Sequence, residues 1–325
     1  MNDNRYAHVR SSRRAFVAGL AAGAVLPLTG WSPVSFRSTS IPAGPFPISV
    51  FSKQLQWLEY EAMAELVADI GFDGIDLTVR PGGHVIPEAV EDDLPRAVEA
   101  ARKAGISVPT IVTAITDPAD EYTQPILKTA GEQGVRIYRM GYLRYDHTSG
   151  IVESLRAQRQ LLADLAVLNA QYGLHGAYQN HAGMQVGAPV WDLWTLLDGM
   201  DTRWIGVQYD IRHATAEGGQ SWPLGFKLLA PFVRNLVVKD FIWAKSDRGW
   251  QIRDVPLGEG MVDFKAFFDL VKACGIQGPI SLHYEYPLPG DDGSLSIAER
   301  RKQVAAVMQR DLGRLREMLG EAGLV

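Results

Sequence analysis

The stretch YDIRHA, Tyr209 to Ala214, places Asp210 at the end of the apolar run WIGVQYD and His213 three residues later. A carboxylate and an imidazole leaving a buried strand together, where it opens into a loop, can hold a divalent cation and the sugar oxygens it polarises. Three more polar clusters end apolar runs in the same manner: YQNHAG (178–183), VVKDF (237–241) and SLHYEY (281–286). Four of the seven histidines, His84, His181, His213 and His283, fall at such ends, whereas packing histidines scatter over helices and surface. Side-chain alternation points His283 and Glu285 to one side of their strand. Plainer roles compete at each position. Asp210 can cap the next turn or pair with Arg212, His283 can be a hydrogen-bonded core residue, and Lys239 can pair with Asp240 or be tuned for proton transfer. Arg80 and Arg139 suit an oxygen-rich substrate. The tryptophans of WDLW (191–194) read as packing on a helix.

These positions need a scaffold that brings distant strand ends together. From Pro47 onward, short β-rich runs alternate with longer helical periodicities. Strands are predicted at 48–52, 74–79, 107–112, 135–140, 175–180, 204–210, 234–240 and 279–285. Helices are predicted near 58–70, 92–104, 121–133, 151–172, 190–199, 222–231, 263–274 and 297–319. Gly71, Gly105, Gly134, Gly173 and Gly275 stand where helices should end. Eight strand–helix units over this length predict a single α/β domain, a (β/α)8 TIM barrel over 46–325. An open doubly wound sheet is disfavoured, because no GxGxxG follows the first strand. The segment 243–260, with an Asp-Arg-Gly turn between tryptophans, reads as a small hairpin able to cover the barrel mouth.

Composition narrows the partners. The hydrophobic content of 46% supports a sizeable core. Five arginines against Asp3 give residues 1–40 a local excess of +4 and leave the remainder at −9, for a net −5. Acidity of that size argues against nucleic acid as a partner. SSRRAFV (11–17), followed by AGLAAGAVLPLTG (18–30), resembles a Tat-type export signal. Residues 1–42 are therefore expected to be signal peptide and linker, and the protein periplasmic or secreted. Trp31 stands where a lipid-anchored signal needs cysteine, so no stable membrane anchor is expected. The single cysteine, Cys274, excludes an intramolecular disulfide and reads as a small core residue. A homo-oligomer is compatible with the sequence.

The motifs FSKQLQWL, GFDGIDLTVRPGGHV, YRMGY, YQNHAG, GVQYDIRHA, VVKDF, VPLGEGMVDF and SLHYEYPL together resemble the xylose isomerase-like TIM-barrel superfamily, in particular its sugar phosphate isomerase/epimerase members. The resemblance implies one divalent metal ion (Mn, Co, Zn or Mg) held by a strand-five Glu or His, a strand-six Asp, a strand-seven His and a strand-eight Glu. Asp210 matches the Asp. Gln179 stands where Glu or His is usual, Val237 where the strand-seven His would be, and His283 takes the place of the strand-eight Glu, with Glu285 two residues on. The resemblance thus implies a reduced metal site of Gln179, Asp210 and His283, and its two-glutamate acid/base mechanism does not transfer.

The expected activity is a metal-dependent isomerase or epimerase acting on a keto-sugar or related small carbohydrate through an enediolate. Lys239 or Glu285 is expected as base, with His213 and His181 orienting hydroxyls or moving protons. His84, Arg80, Arg139 and Asn180 are expected to bind substrate. Two alternatives remain at this point: a lyase that eliminates from 3-keto-glycosides through the same enolate, and a non-catalytic periplasmic sugar-binding barrel.

Overall fold

A computed structural model describes residues 46–325, and the expected export signal lies outside them. Ten strands form, most of them at the apolar runs. They are β1 (Ile48–Phe51), β2 (Gly74–Thr78), β3 (Ser107–Val112), β4 (Ile137–Arg139), β5 (His175–Gln179), β6 (Ile205–Asp210), β7 (Val233–Val238), β8 (Asp240–Ser246), β9 (Gly249–Val255) and β10 (Ile280–Leu282). Eight of them close into a parallel barrel in the order β1-β10-β7-β6-β5-β4-β3-β2. The helices between them are α1 (Tyr60–Ile70), α2 (Val90–Lys103), α3 (Thr123–Glu132), α4 (Ile151–Tyr172), α5 (Val190–Leu197), α6 (Ile211–Gly218), α7 (Trp222–Leu229), α8 (Phe264–Ala273) and α9 (Ile297–Ala322). Gly71 and Gly173 end α1 and α4 in left-handed geometry, which glycine adopts without a Cβ penalty.

Register decides what faces the barrel axis. Asp76 pairs with Thr110, Val112 with Arg139, Gln179 with Gln208, and Asp210 with Val237. Paired residues of neighbouring parallel strands share a face, and the alternate positions turn outward. Tyr209 accordingly packs against Phe226 of α7 and Phe267 of α8, with ring centroids 4.9 and 6.2 Å apart. The apolar core therefore lies between the barrel and its helices. The interior is unusually polar for this fold, with Thr110, His175, Gln208 and Asn235 buried along it.

Four expectations need correcting. The segment after Asp210 is not a loop: it enters α6 at once, with Asp210 as N-cap. The eighth barrel strand stops at Leu282, because its neighbour β7 ends at Val238. One further pairing bond, His283 N–H to the Val238 carbonyl at 3.0 Å, carries the chain to the mouth. Cys274 is exposed, since the buried stripe of α8 (Phe264, Phe267, Phe268, Val271) ends a turn before it. Trp191 and Trp194 are also exposed, and Leu193, Leu196 and Leu197 pack in their place.

The expected hairpin is present as β8 and β9, paired antiparallel from Asp240–Val255 to Ser246–Gly249. Asp240 anchors its base. Its carboxylate accepts the backbone N–H groups of Phe241, Gly258, Gly260 and Val262 at 2.8–3.2 Å. The same residue is therefore unavailable to Lys239.

Candidate active site at the C-terminal barrel mouth

Gln179, at the end of β5, lies between a group that only donates and one that only accepts. Its Oε1 accepts from Arg139 Nη1 at 3.1 Å and from the Tyr142 hydroxyl at 2.7 Å. Its Nε2 donates to Asp210 Oδ2 at 2.8 Å. A guanidinium has no lone pair to offer and a carboxylate no proton, so the neighbours fix the amide orientation. Arg139 also sits over the Tyr142 ring, 4.7 Å from its centroid.

Asp210, fully buried, gathers the other strands. Oδ2 lies 3.3 Å from Lys239 Nζ and 3.5 Å from His213 Nε2, and Oδ1 accepts the His213 backbone N–H at 3.1 Å. Lys239 follows β7 and reaches across to Glu285 Oε1 at 3.6 Å. The other Glu285 oxygen meets Lys53 at 3.2 Å, from the short 3-10 turn Ser52–Leu55 after β1. Burial pushes the Glu285 carboxyl upward, but Lys239 and Lys53 outweigh it and hold the group below its usual value.

Asp210 does not pair with Arg212. That guanidinium stacks over Phe241 at 5.3 Å, forms an ion pair with Asp254 of the hairpin, and donates to His213 Nδ1 at 3.0 Å. Since arginine can only donate, His213 carries its proton on Nε2, toward Asp210. His213 stacks with His181 at 3.9 Å. In His181, Nδ1 lies 2.8 Å from the Ala182 carbonyl and 2.5 Å from Gln185 Nε2, and Nε2 has no hydrogen-bond partner among the described residues. Burial, then the Lys239 charge, lowers both imidazoles, His213 well below the ordinary histidine value.

A second cluster joins β2 to the end of β10, a pairing that the sequence does not show. Asp76 Oδ2 accepts the Ser281 hydroxyl at 2.6 Å and lies 3.7 Å from His283 Nε2. Burial raises the Asp76 carboxyl to about 7, with Ser281, Arg139 and Arg80 pulling the other way. Burial also drives His283 well below its ordinary value, reinforced by Lys239, Arg139, Lys53 and Arg80. Phe51 stacks on the His283 ring at 4.3 Å, and Arg80 covers Phe51 at 5.7 Å.

Lys239, Glu285, His213, His181, Arg80, Arg139, Gln179, Asp210 and His283 all lie at the mouth. Two residues expected to bind substrate are otherwise engaged. Asn180 spends its amide on the Asp210 backbone, accepting its N–H at 2.8 Å and donating to its carbonyl at 2.9 Å. His84 has Nδ1 3.3 Å from Thr78 Oγ1 and Nε2 3.1 Å from the Leu55 carbonyl, and fixes its loop. Ser281 and Lys53 were missed, while Asp76 and Tyr142 stood out only as polar residues near strand ends, with no role. Of these, Asp76 had a signal: it is the charged residue inside GIDLT, an otherwise apolar strand.

The side chains do not fit the expected divalent ion. Among the described residues, no three His, Cys, Asp or Glu side chains form a ligand group. Gln179 turns its oxygen to Arg139, an ammonium occupies Asp210, and the nearest carboxylate to His283 is that of Asp76. A divalent ion about 4 Å from that ammonium would meet repulsion on the order of 8 kcal/mol at intermediate dielectric.

Comparison with known proteins agrees with the fold. Residues 64–310 match the family model described as Xylose isomerase-like TIM barrel. The chain is similar to “Putative L-ribulose-5-phosphate 3-epimerase SgbU” of Escherichia coli (strain K12), 23% identical over 280 residues, covering 79% of this chain and 93% of the relative. Among solved structures, an L-ribulose 3-epimerase superposes with TM-score 0.63 at 17% identity, over 85% of this chain and 95% of the other. A xylose isomerase-like TIM barrel protein from Mycobacterium smegmatis in complex with magnesium gives 0.58 at 14% identity, over 83% and 99%. With a closed eight-stranded barrel and a family match across most of its length, the chain belongs to the xylose isomerase-like TIM barrel family.

Proposed function

We propose that the protein is a sugar isomerase or epimerase that moves a proton at a carbon next to the carbonyl of a small keto-sugar. The observation carrying this reading is Glu285, an ionised and partly exposed carboxylate at the mouth, held between Lys239 and Lys53. The names of two of the similar proteins, a putative L-ribulose-5-phosphate 3-epimerase and an L-ribulose 3-epimerase, support the substrate class.

In this reading Glu285 accepts the C–H proton. The bonding pair forms the C=C of an enediolate, and the carbonyl π pair moves to oxygen, where the cationic lining stabilises it. Two carboxylates hold Lys239 as a donor, so it does not serve as the base. His213 has its only lone pair committed to Arg212 and orients hydroxyls through Nε2–H. The Glu285 acid returns that proton to the neighbouring carbon, and His181, with Nε2 free, orients a hydroxyl. Arg80 and Arg139 bind oxygens.

The test is proton exchange. Candidate ketopentoses and ketohexoses are incubated in D2O with the protein, and 1H NMR follows loss of the α-proton signal. Deuterium uptake is expected, slowed ~10²–10⁴-fold in Glu285→Gln. A folded protein that exchanges no proton in any of them refutes the proposal, and release of a C1 substituent from 3-keto-glycosides would assign elimination instead.

A further inference from the structure

We infer that the Lys239 ammonium takes the cation position between the carboxylates of β6 and the β10 end, so that this chain works its site without a bound divalent metal. The catalytic half of this inference rests on the enolising function proposed above; the binding half rests on geometry alone.

In the barrel order, β7 lies between β6 and β10. A side chain leaving the end of β7 therefore reaches both neighbouring carboxylates, and Lys239 does so, at 3.3 Å from Asp210 and 3.6 Å from Glu285. Lys239 and Asp210 are both buried. A carboxylate offers about four acceptor directions. At Asp210, Gln179 Nε2 donates to Oδ2, Lys239 Nζ lies 3.3 Å from the same oxygen, and the His213 backbone N–H donates to Oδ1. A metal at Oδ2 would have to displace both the amide and the ammonium. The neighbouring amide cannot help, because its oxygen is committed to Arg139 and Tyr142.

The ammonium can also do the cation's chemical work. It carries three N–H bonds, and the two carboxylates use two of them. The third is available to the oxygen on which negative charge accumulates as the α-proton leaves. Arg139, fixed by Gln179 and Tyr142, supplies a second positive charge nearby. A point charge that shifts little during the reaction favours the enediolate over the ketone. Substrate affinity then depends on pH and salt rather than on divalent-ion concentration.

Chelator-treated full-length protein is titrated with Mn2+ alone, and free ion is followed by electron paramagnetic resonance. The wild type is expected to leave the Mn2+ signal undiminished. Lys239→Met, which exposes the Asp210 and Glu285 carboxylates to one another, is expected to bind one equivalent with at least tenfold higher affinity. Lys239→Gln serves as the second variant if the methionine form fails to fold. Stoichiometric uptake by the wild type that Asp210→Asn abolishes overturns the inference, as does a folded Lys239 variant with no gain in binding. Deuterium exchange reads the sugar proposal separately: Mn2+-indifferent protein that exchanges no proton leaves this inference standing and removes the other.

Discussion

Replacing Asp210 separates its two jobs, pairing with Lys239 and capping α6. Removing one partner of a buried ion pair costs about 3–5 kcal/mol, because the remaining charge stays desolvated. Glu285 continues to hold Lys239 at 3.6 Å, which places Asp210→Asn near the lower end, about 3 kcal/mol. Asparagine is an equally good N-cap, so this variant keeps the bond to the His213 N–H. Alanine does not, and Asp210→Ala should lose a further ~1 kcal/mol. Equilibrium urea unfolding, followed by tryptophan fluorescence and fitted with a shared slope, measures both. A loss below about 1 kcal/mol in Asp210→Asn, the range of an exposed pair, would show that water and not the barrel surrounds this carboxylate. Equal losses in the two variants would remove the capping role.

Three further outcomes are expected. Asp76 has a folded-state value raised from 3.8 to about 7, so its stabilising contribution is complete below pH 3.8 and lost as pH rises through 7. His213 and His283, lowered on folding, act oppositely and lose stability as pH falls below their ordinary value. Asp76→Asn should therefore gain Tm over the wild type at pH 8 but not at pH 5, and a gain independent of pH counts against the buried-carboxyl account. Asp254→Asn breaks the ion pair with the buried Arg212; global stability should fall by about 1–3 kcal/mol, while amide hydrogen exchange quickens across 240–255. Unchanged exchange there would mean Asp240 alone secures the hairpin. Gly260→Ala would bring a Cβ to 2.1 Å from Asp240 Oδ1 and 2.5 Å from the Phe241 carbonyl, and should cost about 1–3 kcal/mol in urea unfolding. A neutral result would deny that the hairpin base is tightly packed.

The barrel was legible because local patterns repeat: eight short β-rich runs, each followed by helical periodicity and often by a terminal glycine. What escaped was decided by neighbours. β4 and β10 are only three residues long, since strand length depends on what the adjacent strands pair with. Helix α6 was missed although Asp210 is a good cap, because IRHATAEG has too little apolar periodicity to stand out. The mouth residues were legible for a related reason: charge at the end of an apolar run is visible in one dimension. Their partners were not. Ser281 meets Asp76 across 205 positions, and Lys53 meets Glu285 across 232. Lys53 sits in an ordinary-looking polar segment, and its role exists only once the strand ends converge. The same holds for Gln179, whose type suggested a ligand until Arg139 and Asp210 were seen to claim both ends of its amide.

That amide makes the mouth sensitive to the smallest genetic change. Every glutamine codon differs from a glutamate codon by a single base, so one substitution at position 179 would turn a donor facing Asp210 into a second negative charge. Asp210 would then repel its neighbour while Arg139 attracted it, and the demand for positive charge at the centre would rise at once. The balance between an ammonium-centred and a metal-centred barrel can thus pass through one nucleotide, with the fold untouched.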